Sequence, residues 1–572
     1  MAVENLITEH IDIWTSAVKT KSTSGRGSSK KLELYGVKKL RELILELAVR
    51  GKLVPQDPSD EPASVLLERI AQEKAQLVKE KKIKKPRKYE PIDDNSLPFN
   101  IPSSWKWARI EDLGHDLGQK KPDKTFTYVD VGSINKELGY IDEPSILEHS
   151  EAPSRARKLV QKNTVIYSTV RPYLLNIAVI DRDFNPEPIA STAFAIIHPL
   201  SGISSSYIYR YLRSPSFIEY VESVQTGIAY PAINDKQFFF GLIPVPPTAE
   251  QHRIVAKVDE LMALCDQLEQ QTEASIEAHQ VLVTTLLDTL TNSADADELM
   301  QNWSRISEHF DTLFTTEESI DQLKQTILQL AVMGKLVPQD PSDEPAGELL
   351  KRITDEKAQL VKDKVYQKTS KLKPRNELIS YPKGWVGVQT GQVCPSIVPN
   401  RDRPKSFTGN IPWVTLPAFP QQSLYLDSTK VELALTETEV QKYSARLIPE
   451  GSVLMSCVGR FGLTAINTIP VTSNQQVHAF ITLKGLLPEY LSMVIRVEGK
   501  VLETIATSTT IAYLNKTNCE SIQFGLPPEN EQRLIVEKAK ELIDLCEQLK
   551  VRVKEFQATQ HNLTDAIVEQ AV

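Results

Sequence analysis

The string GKLVPQDPSDEPA runs from Gly51 to Ala63 and returns unchanged from Gly334 to Ala346. In both places EKAQLVK follows, at Glu73–Lys79 and Glu356–Lys362. The likeness extends upstream. VKKLRELILELAVR precedes the first copy and IDQLKQTILQLAVM the second, and Thr8-Glu9-His10 pairs with Ser307-Glu308-His309. The first copy carries about sixteen extra residues around KTKSTSGRGSSKK, judged from the offset between the shared blocks. A second block repeats further on: PPTAEQHRIVAKVDELMALCDQLE from Pro246 and PPENEQRLIVEKAKELIDLCEQLK from Pro527. Between the shared blocks lie two long segments that agree only at their start, in Pro102-Ser-Ser-Trp105 and Pro382-Lys-Gly-Trp385. One chain therefore holds two near-identical frames carrying two different inserts. A solenoid is excluded, because its repeat is only about 20–50 residues long.

Periodicity assigns the parts. Leu40, Leu43, Ile44 and Leu47 form one helical stripe that stops at Gly51, and Leu323, Ile327, Leu330 and Gly334 repeat it. Ala63–Lys79 reads as a second helix. Ile535, Ala539, Leu542, Cys546, Leu549, Val553, Phe556, Leu563 and Ile567 follow 4-3 spacing, broken only at Gln560, which predicts a coiled-coil seam. The first copy shows Ile254, Val258, Leu261, Cys265 and Leu268, then a weaker stretch, then Val283, Leu287 and Leu290. About 40 residues of helix make a rod of about 60 Å. The inserts instead alternate short β-branched runs (NTVIYSTV, STAFAIIH, GSVLMSCV, HAFITLK) with Gly, Pro and Asn turns, which predicts strand-rich α/β globules. The expected boundaries are 1–96, 97–245, 246–378, 379–526 and 527–572. The expected class is mixed α/β (α+β): two globular domains joined by two long antiparallel coiled-coil helices in a pseudo-two-fold tandem duplication.

Composition narrows the function. The chain has 572 residues, 41% hydrophobic and 24% charged, with net charge −8. These are globular values. No apolar run reaches the length of a membrane span and no signal peptide opens the chain, so a cytoplasmic location is expected. Five scattered cysteines without a C-x-x-C pair argue against a disulfide framework and a structural zinc site. No P-loop, no glycine fingerprint for a nucleotide or S-adenosylmethionine, and no Asn-Pro-Pro-aromatic string is present. Glu80-Lys81-Lys82 resembles the tail of a nuclease motif, but the second copy has Asp363-Lys364-Val365, and a solvated helix end is the better reading. His10 and His309 recur without a metal-ligand partner and read as capping or packing residues. Overall acidity does not exclude nucleic acid, because charge acts locally. KEKKIKKPRK at 79–88 holds seven basic residues in ten.

Together these features resemble the specificity (S) subunit of type I restriction–modification systems. LRELILELAVRGKLVPQDPSDEPA, the PPTAEQ and PPENEQ helix starts, YVDVGSINKELGYI, YSTVRPYLLNIAVI, GNIPWVTLPAF, LMSCVGRFGLTAIN and TSNQQVHAF carry the resemblance, which covers essentially the whole chain. It implies two target-recognition domains and a non-catalytic role. The chain would recognise double-stranded DNA for two methyltransferase (M) subunits and, in the full complex, restriction (R) subunits. The S-adenosylmethionine, ATP and magnesium would belong to those partners, with none in this chain. A coiled-coil scaffold whose two globules bind proteins is the alternative.

DNA reading needs donors at base edges and cations near phosphates; Arg suits guanine, Asn or Gln suits adenine. In the first insert the candidates are Lys120, Lys121 and Lys124 with Tyr128; Arg155, Arg157 and Lys158; Ser168, Thr169, Arg171 and Tyr173; and Tyr230, Asn234 and Lys236. In the second they are Arg401, Arg403 and Lys405; Arg460 in the Gly459–Gly462 loop; Asn474, Gln475, Gln476 and His478; and Tyr513, Asn515 and Lys516.

Overall fold

The computed structural model describes residues 3–22, 30–87, 89–93, 95, 97–374, 379–398, 403–420, 423–506 and 512–572. They form two compact units. One comprises Met1–Ser275 with Phe556–Val572, the other Ile276–Glu555. The last turns of the chain thus belong to the unit that contains its start. Tyr35 donates to Asp565 (2.6 Å), and the His561 ring sits 2.9 Å from the Val18 carbonyl.

Each unit is built on the same frame. Helices Tyr35–Val49 and Glu317–Val332 bury the stripes read from the sequence. Burying each such Leu or Ile contributes about 1.5–3 kcal/mol. The helices stop at Gly51 and Gly334, whose φ angles of 71° and 70° lie in the left-handed region that side chains avoid. His10 and His309 mark equivalent breaks between short helices. Their carbonyls accept the first amides of the next turn, but their side chains make no cap bond. The extra residues of the first copy form an antiparallel ribbon, Lys19–Ser22 with Lys30–Glu33.

The repeated motifs meet at one joint per unit. Gly51 packs under Pro102 and Trp105, and Gly334 under Pro382 and Trp385. The Trp105 indole donates to Glu250 at 2.9 Å and that of Trp385 to Glu531 at 2.9 Å. Burial raises both carboxyls above their usual range, against the pull of the indole bond. The neighbouring glutamines, Gln251 and Gln532, are fully buried and span the joint. Each accepts from an insert backbone amide (Ser204 or Leu487) at 2.9 Å and donates to the first proline carbonyl of its own motif. This explains why the Pro-x-x-Trp and Pro-Pro-x-x-Glu-Gln strings travel together. Helices Ala63–Lys79 and Ala346–Lys362 complete the joint through buried Lys74 and Lys357, which donate to the carbonyls of Glu111 and Gly391.

The long helices are Thr248–Asn292 and Glu529–Ala571. Their inward positions begin as predicted and then change phase. Val553 is followed inward by Gln557, Gln560 and Thr564, while Phe556 and Leu563, expected in the seam, are exposed. In the first copy Thr272, Ile276, His279 and Val283 turn inward at the corresponding places. A helix of 3.6 residues per turn drifts out of a 3.5-residue repeat, and a step of 4-4 in place of 4-3 absorbs the drift. The shift falls where both helices pass from one unit to the other. In the second unit, Val283, Leu287 and Leu290 pack with Leu313, Ile320, Leu323, Ala539, Cys546 and Val553. They are part of a helical core there. No described helix is long and apolar enough to cross a membrane.

The inserts share a topology despite their divergence. Each is entered and left through an antiparallel strand pair: Lys106–Arg109 with Leu242–Val245, and Val386–Gln389 with Gln523–Leu526. Each has a central antiparallel pair, Val165–Ser168 with Phe194–Pro199 and Val453–Ser456 with Val477–Phe480. Each also has one parallel pair, Phe126–Val129 with Pro188–Ser191 and Ile411–Val414 with Thr472–Ser473. The mixed α/β expectation holds.

Candidate nucleic-acid interface

In the first domain two loops are tied together beyond the central strands. Ser168 Oγ donates to the Val170 carbonyl (3.0 Å), Thr169 N to Ala193 O (2.9 Å) and Ile233 N to Thr169 O (3.0 Å). Arg171, at φ 50°, donates its amide to Pro231 O (2.8 Å) and lays its guanidinium 4.7 Å from the Tyr230 ring centre. Tyr173 and Tyr230 are exposed, and Ile228 beside them is fully so. Asn234 caps the helix Asp235–Phe240 by accepting from Gln237 N (2.9 Å), which leaves Lys236 exposed on its first turn.

The second domain repeats this arrangement with other side chains. Ser456 Oγ donates to Val458 O (2.9 Å), Cys457 N to Gln476 O (2.8 Å) and Leu514 N to Cys457 O (3.0 Å). Asn515 caps Lys516–Glu520 by accepting from Asn518 N (2.8 Å). Arg460 and Tyr513 are exposed on the two tied loops. Gly459 and Gly462, at φ 77° and 78°, give the Arg460 turn its shape. Gln475 is exposed between Asn474 and Gln476, which satisfy each other (Asn474 Nδ2 to Gln476 Oε1, 3.3 Å). Lys516 is half-buried and pairs with Glu520 at 3.5 Å.

Several candidates turn inward. Ser168 and Thr169 are buried, because the strand end folds back onto Ala193 and Val170 instead of projecting. Lys158 is buried too, with its ammonium on Phe194 O (2.6 Å) and Asp235 (3.1 Å). It joins strand Ala156–Leu159 to the Asn234 helix and is no phosphate contact. His478 is only 2% exposed, and burial pushes its imidazole down to about 4, so it is neutral and unavailable to DNA. Of the other basic candidates in the first domain, Lys120, Arg155 and Arg157 lie together at one sheet edge. Lys120 N donates to Arg157 O (2.8 Å), which brings Lys120 to half-buried Arg157 and exposed Arg155. The Lys120 ammonium is held by Asp123 and Glu187 (3.0 and 2.8 Å); Lys121 and Lys124 are exposed and Tyr128 is half-buried. In the second domain Arg403 lies 5.5 Å from the Phe407 ring centre and Lys405 is exposed; Arg401 lies outside the described residues. Ile228 opens the loop that holds Tyr230, Asn234 and Lys236 but, being apolar, is not among the sequence candidates. Its exposure beside Tyr230 is the signal that singles it out.

The profile described as "Type I restriction modification DNA specificity domain" matches residues 102–278 and 382–555. The chain is 38% identical to the type I restriction enzyme EcoAI specificity subunit of Escherichia coli and 38% identical to the EcoEI specificity subunit of the same species. Each match covers all of both chains. The chain belongs to the type I restriction–modification DNA specificity family. Members of this family recognise DNA and are not themselves the catalysts, and the two profile matches fall on the two domains that present the tied loops. The fold agrees. A chain from a structural study of complex assembly and conformational transition of the type I R-M system superposes with a TM-score of 0.53 at 22% identity, over 83% of this chain and 99% of that one.

Proposed function

We propose that the two domains read the two halves of a bipartite, asymmetric DNA target, with unspecified bases between the halves. The observation that carries this is the pair of tied loops. The same hydrogen bonds support them in both domains, yet one set presents Arg171, Tyr173 and Tyr230 and the other Arg460, Gln475 and Tyr513. Equal scaffolds with different donors favour different bases.

The frames would seat two M subunits, with R subunits joining the full complex. Supporting this, the long helices leave leucines exposed at equivalent positions: Leu264 and Leu545 (45% and 53%), and Leu282 and Leu563 (49% and 42%). In this reading S-adenosylmethionine, ATP and magnesium are held by the partners, and the assembly works in the cytoplasm. Methylome sequencing of a host expressing this chain with its M partner tests the reading. A bipartite asymmetric methylated motif is expected; a palindromic or uninterrupted motif would contradict it.

A further inference from the structure

We propose that the second domain holds one zinc ion on Cys457, His478 and Cys519. The three side chains come from separate parts of the sequence and meet in the core, 4%, 2% and 0% exposed. Their ligand atoms all lie within 4.8 Å of one another, and the two sulfurs are 3.7 Å apart. Two thiolates on a tetrahedral zinc, with Zn–S near 2.3 Å, stand about 3.8 Å apart, so the sulfurs already have that spacing. The Nε2 atom of His478 is buried without a hydrogen-bond partner, a costly condition for a ring nitrogen that is not a ligand. Charge calls for a divalent ion, and two thiolates with an imidazole are ligands that suit zinc. Two thiolates, a neutral imidazole and Zn²⁺ sum to zero, which suits a buried site, whereas Cu⁺ would leave a net negative charge. Binding releases the two thiol protons to solvent, and no redox change occurs. Among the described residues no fourth Cys, His, Asp or Glu joins the cluster, so the fourth position falls to a water or a backbone carbonyl.

The first domain shows that the frame does not require this cluster. Thr169 makes the same backbone bonds as Cys457. Strand register sets Ala195 opposite Tyr167, as His478 stands opposite Met455. Phe238, fourth after the capping Asn234, takes the place of Cys519, fourth after Asn515. There the space is filled by aromatic packing, with Phe238 4.8 Å from Tyr167.

The placement implies a purpose. Cys457 lies three residues before Arg460, His478 two after Gln476 and Cys519 three after Lys516. One ion would therefore staple the three segments that carry the second domain's candidate base contacts. This part rests on the DNA reading proposed above; the metal content does not.

The full-length chain, co-purified with its M partner, is assayed for zinc by mass spectrometry, and for a thiolate-to-metal charge-transfer band after exchange with Co²⁺. About one zinc per specificity chain is expected, retained in Cys265→Ser and lost in the Cys457→Ser/Cys519→Ser double variant. If that variant fails to fold, titration of the wild type with an organomercurial decides, with about two thiols consumed per zinc released. Wild type with less than about a tenth of a zinc per chain and no cobalt band, or a Cys457–Cys519 disulfide under native purification, would overturn the site while leaving the proposed function standing. Chelation should weaken binding at least about tenfold through the second domain's half-site only. Zinc present with unchanged DNA affinity after its removal would overturn the stapling role.

Discussion

The first and second domains share a skeleton and differ in what they put on it. Ser168 and Ser456 make the same turn, and Asn234 and Asn515 cap the same short helix. Beyond those bonds the faces diverge: Arg171 stacks on Tyr230 in one, while Arg460 sits between two left-handed glycines in the other. The exposed side chains of these loops can differ because backbone hydrogen bonds, with one serine and one asparagine side chain in each domain, hold the loops. The joints below the domains show the opposite economy. There Gly, Pro, Trp, Glu and Gln recur residue for residue, because each fits a contact that tolerates little variation.

The largest effects should come from breaking a joint. At Gly334→Ala the new Cβ adopts a left-handed φ, costing about 1–2 kcal/mol. It also comes within 2.6 Å of Pro382. A loss of more than about 2 kcal/mol is expected for this variant and for Gly51→Ala, measured by chemical denaturation of the complex. A smaller loss would show that the joint yields.

Assembly comes next. Leu264→Glu with Leu545→Glu places a charge on the equivalent exposed site of each unit and should weaken M-subunit association at least about tenfold, since an interface position loses apolar burial and gains a buried charge. Native mass spectrometry of the co-expressed complex would show it, and unchanged stoichiometry at low concentration would move the docking surface elsewhere.

Single recognition residues rank third. Arg171→Ala and Arg460→Ala should each relax one half-site by about 1–3 kcal/mol and leave the other intact. Binding to DNAs randomised in one half separates the two. Below these stands the run Lys79, Lys81, Lys82, Lys84 and Lys85, exposed after helix Ala63–Lys79. Neutralising it should lower affinity for all sequences alike and flatten the dependence on salt.

The smallest effect is a pH dependence. Burial raises the folded-state values of Glu250 and Glu531 above the unfolded value near 4.3. Their contribution to stability is therefore full below that pH and is lost as pH rises through the raised folded value. Glu531→Gln should reduce this slope in thermal melts as pH rises above the unfolded value of about 4.3, and an unchanged slope would contradict the raised carboxyl.

The helical frame was legible because its apolar stripes follow the helical period and end on Gly51 and Gly334. The seam was legible only as far as Val553. A 4-3 template cannot register the phase slip that turns Phe556 and Leu563 outward, since both residues fit the template. In the two domains, clusters of cations and amides picked out loops that the structure ties together by backbone hydrogen bonds. Which members turn inward depends on backbone bonds to Ala193 and Gln476 from distant strands, which no local pattern encodes. The Cys457–His478–Cys519 cluster was invisible for the same reason: its residues are spread along the chain and no short motif unites them.

On the function proposed above, two independent readers stand on one duplicated frame. Replacing residues 97–245 with the corresponding domain of another family member and sequencing the methylome tests it most directly. One half of the methylated motif should change to a new sequence, while the other half keeps its bases and the spacer its length. A motif in which both halves change together would contradict the account.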